Sequence, residues 1–435
     1  MPIYSTKLRK SLNALIHDMA LHSGDFSCRP GKDFTRHSKL GLERTISILL
    51  CMEGKSLNNE LLNYYQCDSN LPTASAFVQC RSKLAPCALP TLFQRFATAQ
   101  KPQLYRKHRL LAVDGTTLQI PHNPDDADSL VEYSERQRPV NLLHVNALYD
   151  LCTRVYSDAV IEGKQVYNEQ RALVQMVRQS VINQAILLAD RGYESFNVLA
   201  HLQHKGWNFL VRIRDRNGIG AGLPLPNKPE FDVSFSLQIC GRKAKHWERQ
   251  IQGGIAAKFV PPDRFDYEQL CPNSEQTFCL SFRVVRFQVS ENVFETVVTN
   301  LDRDAFPPEE LKTLYARRWE IETSFRKLKY TLGLLHFHAK KAEHIRQEIF
   351  ARMIMYNFYE LIVTHTIIRK SHRKYAYQAN FSAAVQICRQ FFRGNVSPPV
   401  LEALISRFIS PIRPGRSIPR TPPARGLVSF AYRVA

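Results

Sequence analysis

Apolar residues recur at helical spacing early in the chain: Leu40, Leu42, Ile46, Leu49 and Leu50, then Leu57, Leu61 and Leu62. Thr73, after Pro72, is placed to cap a helix over 74–84, with Phe77, Val78 and Leu84 inward and Ser75, Gln79, Ser82 and Lys83 outward. Short helices with polar tips suit a helix-turn-helix module; a small bundle that only packs reads equally well. From about residue 108 the pattern changes to strands. Arg109 to Val113 is an apolar run ending in Asp114-Gly115, Leu142 to Leu148 alternates, and Val155 to Ile161 follows, which predicts a three-stranded meander. Glu169 to Val181 is amphipathic, with Leu173, Met176, Val177 and Val181 on one side. Ala185 to Ala189 is a second buried strand ending in Asp190-Arg191-Gly192; Phe196 to His204 then reads as helix and Trp207 to Ile213 as strand.

Beyond this, 215–292 carries Gly218-Ile219-Gly220-Ala221-Gly222, several prolines and an alternating stretch over 282–289, the texture of a β-rich insertion. The glycines are not a dinucleotide fingerprint, because no suitable helix follows them. Phe294 to Asn300 returns to the sheet or its edge. Pro307-Pro308 opens a long helix over 309–332 that Gly333 can stop, and a second helix runs from about 342 to 369. Three strands, a helix, a strand, a helix and a strand is the order of a ribonuclease-H-like core. The predicted fold is therefore α/β, a ribonuclease-H-like mixed sheet with a β-rich insertion, preceded by an α-helical DNA-binding region. Its divisions are a helical region over 1–104, a core over 105–214, the insertion over 215–292, the second part of the core with the long helix over 293–370, and a helical segment with a basic tail over 371–435.

Charge narrows the partners. The 435 residues carry 59 Lys plus Arg against 39 Asp plus Glu, a formal net charge of +20, which favours a polyanion, nucleic acid first and an anionic membrane surface second. The tail from Pro411 to Ala435 holds five arginines, five prolines and no acidic residue, a composition suited to lying extended along phosphates. The most apolar stretches, Thr45 to Met52 and Phe358 to Ile368, are too short or interrupted to cross a membrane, and Met1 to Ala20 lacks a leader pattern, so a cytoplasmic location is expected. The 10 cysteines form no C-x-x-C pair, which favours reduced, mostly buried thiols over zinc ligands. His336, His338 and His344 read as a solvated, DNA-facing loop rather than a metal cluster, and 101–109 as a basic hinge or linker.

Asp114 and Asp190 carry the first sharp chemical signal. If the first and fourth strands are adjacent and parallel, both carboxylates emerge side by side at strand ends, where a pair of Mg²⁺ ions would relieve their repulsion. Singly, each is more often a turn residue. On the long helix, Tyr315, Arg318, Glu322 and Lys329 fall within about 60° at about 100° per residue, beside an apolar stripe of Leu314, Ile321, Phe325, Leu328 and Leu332. Glu322 would complete a three-carboxylate site, with Arg318 and Lys329 suited to phosphate oxygens. The plain alternative is a solvated helix face with an Arg318–Glu322 pair.

The spacing Tyr-x2-Arg-x3-Glu-x6-Lys resembles the YREK signature of DDE transposases of the bacterial IS-four insertion-sequence family. Asp114-Gly115-Thr116 and Asp190-Arg191-Gly192-Tyr193 look like that family's first two acidic blocks. Arg413-Pro414-Gly415-Arg416-Ser417 with Pro419-Arg420, and Phe77-Val78-Gln79-x-Arg81-x-Lys83, are also similar to the group. The resemblance implies cutting of double-stranded DNA at terminal inverted repeats and joining to target DNA, by cut-and-paste, in a nucleoid-associated homodimer on paired ends. Asp114, Asp190 and Glu322 would hold two Mg²⁺ or Mn²⁺ ions, and Tyr315, Arg318 and Lys329 would bind DNA phosphates. A hairpin route would need an aromatic acceptor for a flipped base, for which Phe294 and Trp247 are candidates. Two other classes fit the same residues: a catalytically inactive DNA-binding or repressor descendant, and a metal-dependent DNA nuclease that cuts without joining.

Overall fold

The computed structural model describes residues 2–36, 38–133, 138–214, 218–221, 223–240, 256–261, 264–266, 277–366 and 375–412. Trp247, Gly222 and the tail from Arg413 lie outside the described residues. Five helices come first: α1 (Pro2–Leu21), α2 (Leu42–Cys51), α3 (Leu57–Tyr64), α4 (Ala74–Arg81) and α5 (Ala88–Thr98). The side chains of Ser56 and Thr73 accept from Asn59 N and Ala76 N, capping α3 and α4 as their sequences require. The inner side of α4 differs from expectation: Val78 is exposed, and Arg81 is buried beside Phe77.

The strands are β1 (Arg109–Ile120), β2 (Leu130–Val131), β3 (Val140–Asp150), β4 (Val155–Gly163), β5 (Ala185–Ala189), β6 (Asn208–Arg212), β7 (Phe231–Cys240), β8 (Ala256–Phe259), β9 (Thr277–Ser290) and β10 (Val293–Thr299). They form one mixed sheet in the order β2-β3-β1-β5-β6-β10-β9-β7-β8, with β4 also paired to β3. β1, β5 and β6 run parallel, joined by the crossover helices α6 (Glu169–Gln179) and α7 (Phe196–His204), whereas β3 and β10 are antiparallel to their neighbours. Strands β7, β8 and β9, from the segment read as an insertion, continue this sheet beyond β10.

Alternation of side chains sorts the sheet into two cores. Leu110, Ala112, Ile186, Leu188 and Leu210 face one core, shared with the N-terminal helices and with α8 (Pro308–Ala316), α9 (Trp319–Arg326) and α10 (Ala342–His365). Leu111, Val113, Leu187, Ala189, Phe209 and Val211 face the other, beneath α6 and α7. The long helix expected over 309–332 is divided. Around Arg318 the backbone tightens to i→i−3 bonds (Arg318 N to Tyr315 O, 3.0 Å), and Lys327–Thr331 widens to one π turn closed by Leu332 N to Lys327 O, 3.1 Å. Gly333 ends it at φ +75°, as its position in the sequence suggested. Asn357 of α10 pairs with both backbone groups of Tyr156 at 2.8 Å, so a side chain covers the free edge of β4.

Helices α11 (Phe381–Phe392) and α12 (Pro398–Arg407) and a small ribbon of β11 (Ala376–Ala379) with β12 (Ile409–Ile412) complete the described chain. Two expectations need correction. His338 and His344 are buried, not solvated: His338 lies 3.2 Å from Glu348 and 3.5 Å from Glu60, and His344 lies 3.1 Å from Ser82 Oγ. Two buried carboxylates require nearby cations, and His338, Arg81 (2.9 Å from Glu348) and Arg352 supply them. Of the described cysteines, Cys28, Cys67, Cys87 and Cys279 are exposed, so the thiols are not mostly buried. Among the described residues no helix is long and apolar enough to cross a membrane.

Candidate active site

The register of three parallel strands builds the centre of the site. Ala112 stands opposite Leu188, and Ala189 opposite Val211; continued two steps from the first pair and one from the second, the same register aligns Asp114, midway along β1, with Asp190 and Arg212 at the ends of β5 and β6. Each continues an alternation set by Leu110-Ala112, Ile186-Leu188 and Leu210, so the row belongs to the face covered by α8 and α9. Helix α9 packs against β1 and presents Glu322 there, anchored by Ile321 and Phe325 in the core and by Ser324 Oγ, 2.7 Å from Tyr156 OH.

Arginines neutralise two of the three carboxylates. Arg318 donates to Glu322 at 3.0 Å, and Arg212 lies 2.9 Å from Asp190 and 3.0 Å from Glu295. Arg318 is nearly inaccessible, its guanidinium 4.8 Å above the Trp319 ring. Burial opposes its charge, while Tyr315, Asp190, Asp114 and Glu322 all favour it, which puts the guanidinium within electrostatic reach of every one of the three acids. The expected i,i+4 pair of Arg318 and Glu322 thus exists, but over the sheet rather than on a solvated face.

Among the described residues Asp114 has no such direct pair. Burial pushes its carboxyl up to about 6, and the charges of Glu322 and Glu169 act in the same direction, against the Gly115 N–H and Arg318. Tyr315 is buried with its hydroxyl 3.4 Å from the Ala189 carbonyl, at the strand end just before Asp190, and burial raises its pKa. Lys329 donates to Thr117 O at 3.2 Å, and burial lowers its pKa. The structure therefore gathers Asp114, Asp190, Tyr315, Arg318, Glu322 and Lys329 around the middle of β1 and the end of β5. It does not pool the carboxylates: among the described residues no three His, Cys, Asp or Glu side chains stand close enough together to hold a metal ion.

Residues 105–358 match the family model described as the transposase DDE domain. The chain belongs to this family. This DDE transposase is 22% identical over 381 residues to the transposase InsG for insertion sequence element IS4 of Escherichia coli (strain K12), covering 82% of this chain and 77% of that protein. The likeness to IS-four-type enzymes read from the YREK spacing is thereby borne out. A solved structure, the piggyBac transposase synaptic complex with hairpin DNA, aligns at a TM-score of 0.46 and 10% identity, over 96% of this chain and 87% of that one.

Sequence reasoning missed Arg212, Glu295 and Glu169. A signal for Arg212 existed, since it ends the strand after Asp190's own and keeps the same alternation. Phe294 is half-buried at the start of β10, under the Arg286 guanidinium at 5.3 Å.

Proposed function

We propose that this DDE transposase cuts double-stranded DNA at the terminal inverted repeats of an insertion element and joins the ends to target DNA by cut-and-paste. The observation that carries the reading is the row of Asp114, Asp190 and Arg212, with Glu322 and Arg318 held against it by α9. The strand order β4-β3-β1-β5-β6, with β1, β5 and β6 parallel and β3 antiparallel, supports a ribonuclease-H-like core.

The donor set fits a hard divalent cation, being all carboxylate oxygen, and Asp114 sits in a field of other acids that disfavours its charge. Asp114, Asp190 and Glu322 would hold two Mg²⁺ or Mn²⁺ ions. When bound, such ions lower the pKa of an attacking water or 3′-hydroxyl and stabilise the leaving oxygen. The chain's own contribution is charge and orientation. Arg318 pairs with Glu322 and Arg212 with Asp190, and these guanidinium groups orient the two carboxylates. The same guanidinium groups, with Lys329 and Tyr315, would serve phosphate oxygens, where planar charged donors fix orientation as well as charge.

In this reading 1–104 and the basic tail bind DNA, 105–214 and 293–370 form the catalytic core, and 215–292 lies beside the reacting ends, with Phe294 a candidate acceptor for a flipped base. Two chains act as a homodimer on paired ends, in the cytoplasm at the nucleoid. The test is incubation of paired element ends with target DNA and Mg²⁺, comparing wild type with Asp190→Asn. Cleaved and joined products from wild type alone support the reading, and hairpin-capped or open ends separate the two cleavage routes. End-independent nicking without joining overturns it in favour of a nuclease.

A further inference from the structure

A fourth carboxylate is built into the site by the two glycines that follow the aspartates. Glu169, in the first turn of α6, holds its carboxylate between them. A Cβ placed on Gly192 would stand 2.6 Å from Glu169 Oε2, and one on Gly115 would stand 3.0 Å from Glu169 Oε1 and collide with His144 Nε2. Neither glycine has a positive φ, so backbone conformation does not require them; the space is taken by Glu169 and its partner. His144 is 5% exposed, with Nε2 3.1 Å from Glu169 Oε1 and Nδ1 3.1 Å from Thr117 Oγ1.

The contacts close a ring. Gly115 pairs across β1 and β3 with Asn146, whose Oδ1 accepts from Tyr193 OH at 3.1 Å, and Tyr193 follows Gly192. Gln170, beside Glu169, donates to Gly192 O at 3.1 Å. Thr117 O in turn accepts from Lys329. The stretch of β1 after Asp114 and the turn after Asp190 are thus tied together through the N-terminal turn of α6.

We infer that Glu169, oriented by His144, is a positioning residue that sets the spacing of Asp114 and Asp190 for cation binding. This rests on the proposed metal-dependent reading of the site. It acts by filling the gap between β1 at Gly115 and the turn at Gly192, and not as a ligand.

The test is Mn²⁺ binding to the full chain without DNA, read from the electron spin resonance signal of free Mn²⁺, with thermal midpoints recorded alongside. Glu169→Ala and Gly192→Ala are each expected to weaken binding by about tenfold, the scale of residues that orient metal ligands. Gly192→Ala meets only the tip of a flexible side chain, so it displaces the carboxylate while the fold stays intact; it keeps the test decisive should Glu169→Ala misfold. The double variant is expected to be no weaker than either single one, because both remove the same contact. Glu169→Gln, which keeps the shape, is expected to restore binding to within about threefold of wild type, inside the cost of losing an outer partner. Wild-type affinity in both single variants overturns the inference, as does a double variant that loses the product of the two. A Glu169→Gln variant as weak as Glu169→Ala also overturns it, since charge and not shape would then be required. Wild type that binds no Mn²⁺, or an Asp114→Asn variant that binds it equally, overturns the metal-dependent reading itself, and the inference with it.

Discussion

Asp114→Asn should stabilise the metal-free protein at neutral pH. Asparagine keeps the size of the side chain and an oxygen to accept the Gly115 N–H, which lies 2.9 Å from Asp114 Oδ1, but carries no charge. Burial raises the Asp114 carboxyl from 3.8 to about 6. A carboxyl whose folded pKa exceeds its unfolded one contributes stability that is fully present below about pH 4 and lost as the pH rises through about 6. Above that range the folded chain bears the whole penalty, at most about 3 kcal/mol from the size of the rise. Asp114 keeps partial solvent access, so about 1–2 kcal/mol is the expected gain on removing the charge. The assay is a thermal melt in EDTA at pH 7.5 and pH 4. The variant should melt about 1–2 °C higher at pH 7.5 and together with wild type at pH 4, and Mg²⁺ should raise the midpoint of wild type alone. Equal midpoints at pH 7.5, or a less stable variant, would refute the argument that Asp114 is held in an electrostatically unfavourable place.

The buried ion cluster gives two more tests. Arg81→Met leaves Glu348 fully buried without the nearer of its two guanidinium partners and should cost about 3–5 kcal/mol, read as a fall in the urea midpoint; a loss under 1 kcal/mol would mean that His338 and Arg352 suffice. Burial disfavours the His338 charge, but Glu348 and Glu60 outweigh it and raise its pKa to about 8. Its contribution is therefore present below about 6.5 and lost as the pH rises through about 8, so the wild-type midpoint should fall across that window while His338→Gln shows no such step.

Much of the sheet was legible because its apolar runs end abruptly in chemistry. Ala185 to Asp190 is short enough to be a strand only, and its parallel pairing with β1 follows once a helix separates them; β1 itself does not end at Asp114-Gly115 as its apolar run suggested but continues, paired with β3, to Ile120. Within the helix after Pro308 the four-residue spacing was legible too, but not its tightening at Arg318 or the π turn at Lys327–Thr331. Those depend on packing against Tyr156 and Lys329's reach to Thr117, which are long-range. The histidines after Gly333 misled because local basic composition points to solvent, whereas the surroundings of His338 are set by Glu348 on the following helix and by Glu60, far away in sequence. Glu169 was invisible, and the signal for Arg212 faint, for a related reason: a first-turn glutamate and an ordinary strand-end arginine gain their full meaning only when Gly115 and Gly192 converge on one carboxylate and when β5 and β6 align.

The central claim, that Glu322 completes a three-acid centre with Asp114 and Asp190, is tested most directly by cleavage of linear DNA carrying the element's ends, in Mg²⁺, by wild type and Glu322→Gln. DNA binding is measured in the same samples. The account predicts end-specific cuts by wild type, none by the variant, and equal binding by both. Equal cutting by the two proteins would contradict it.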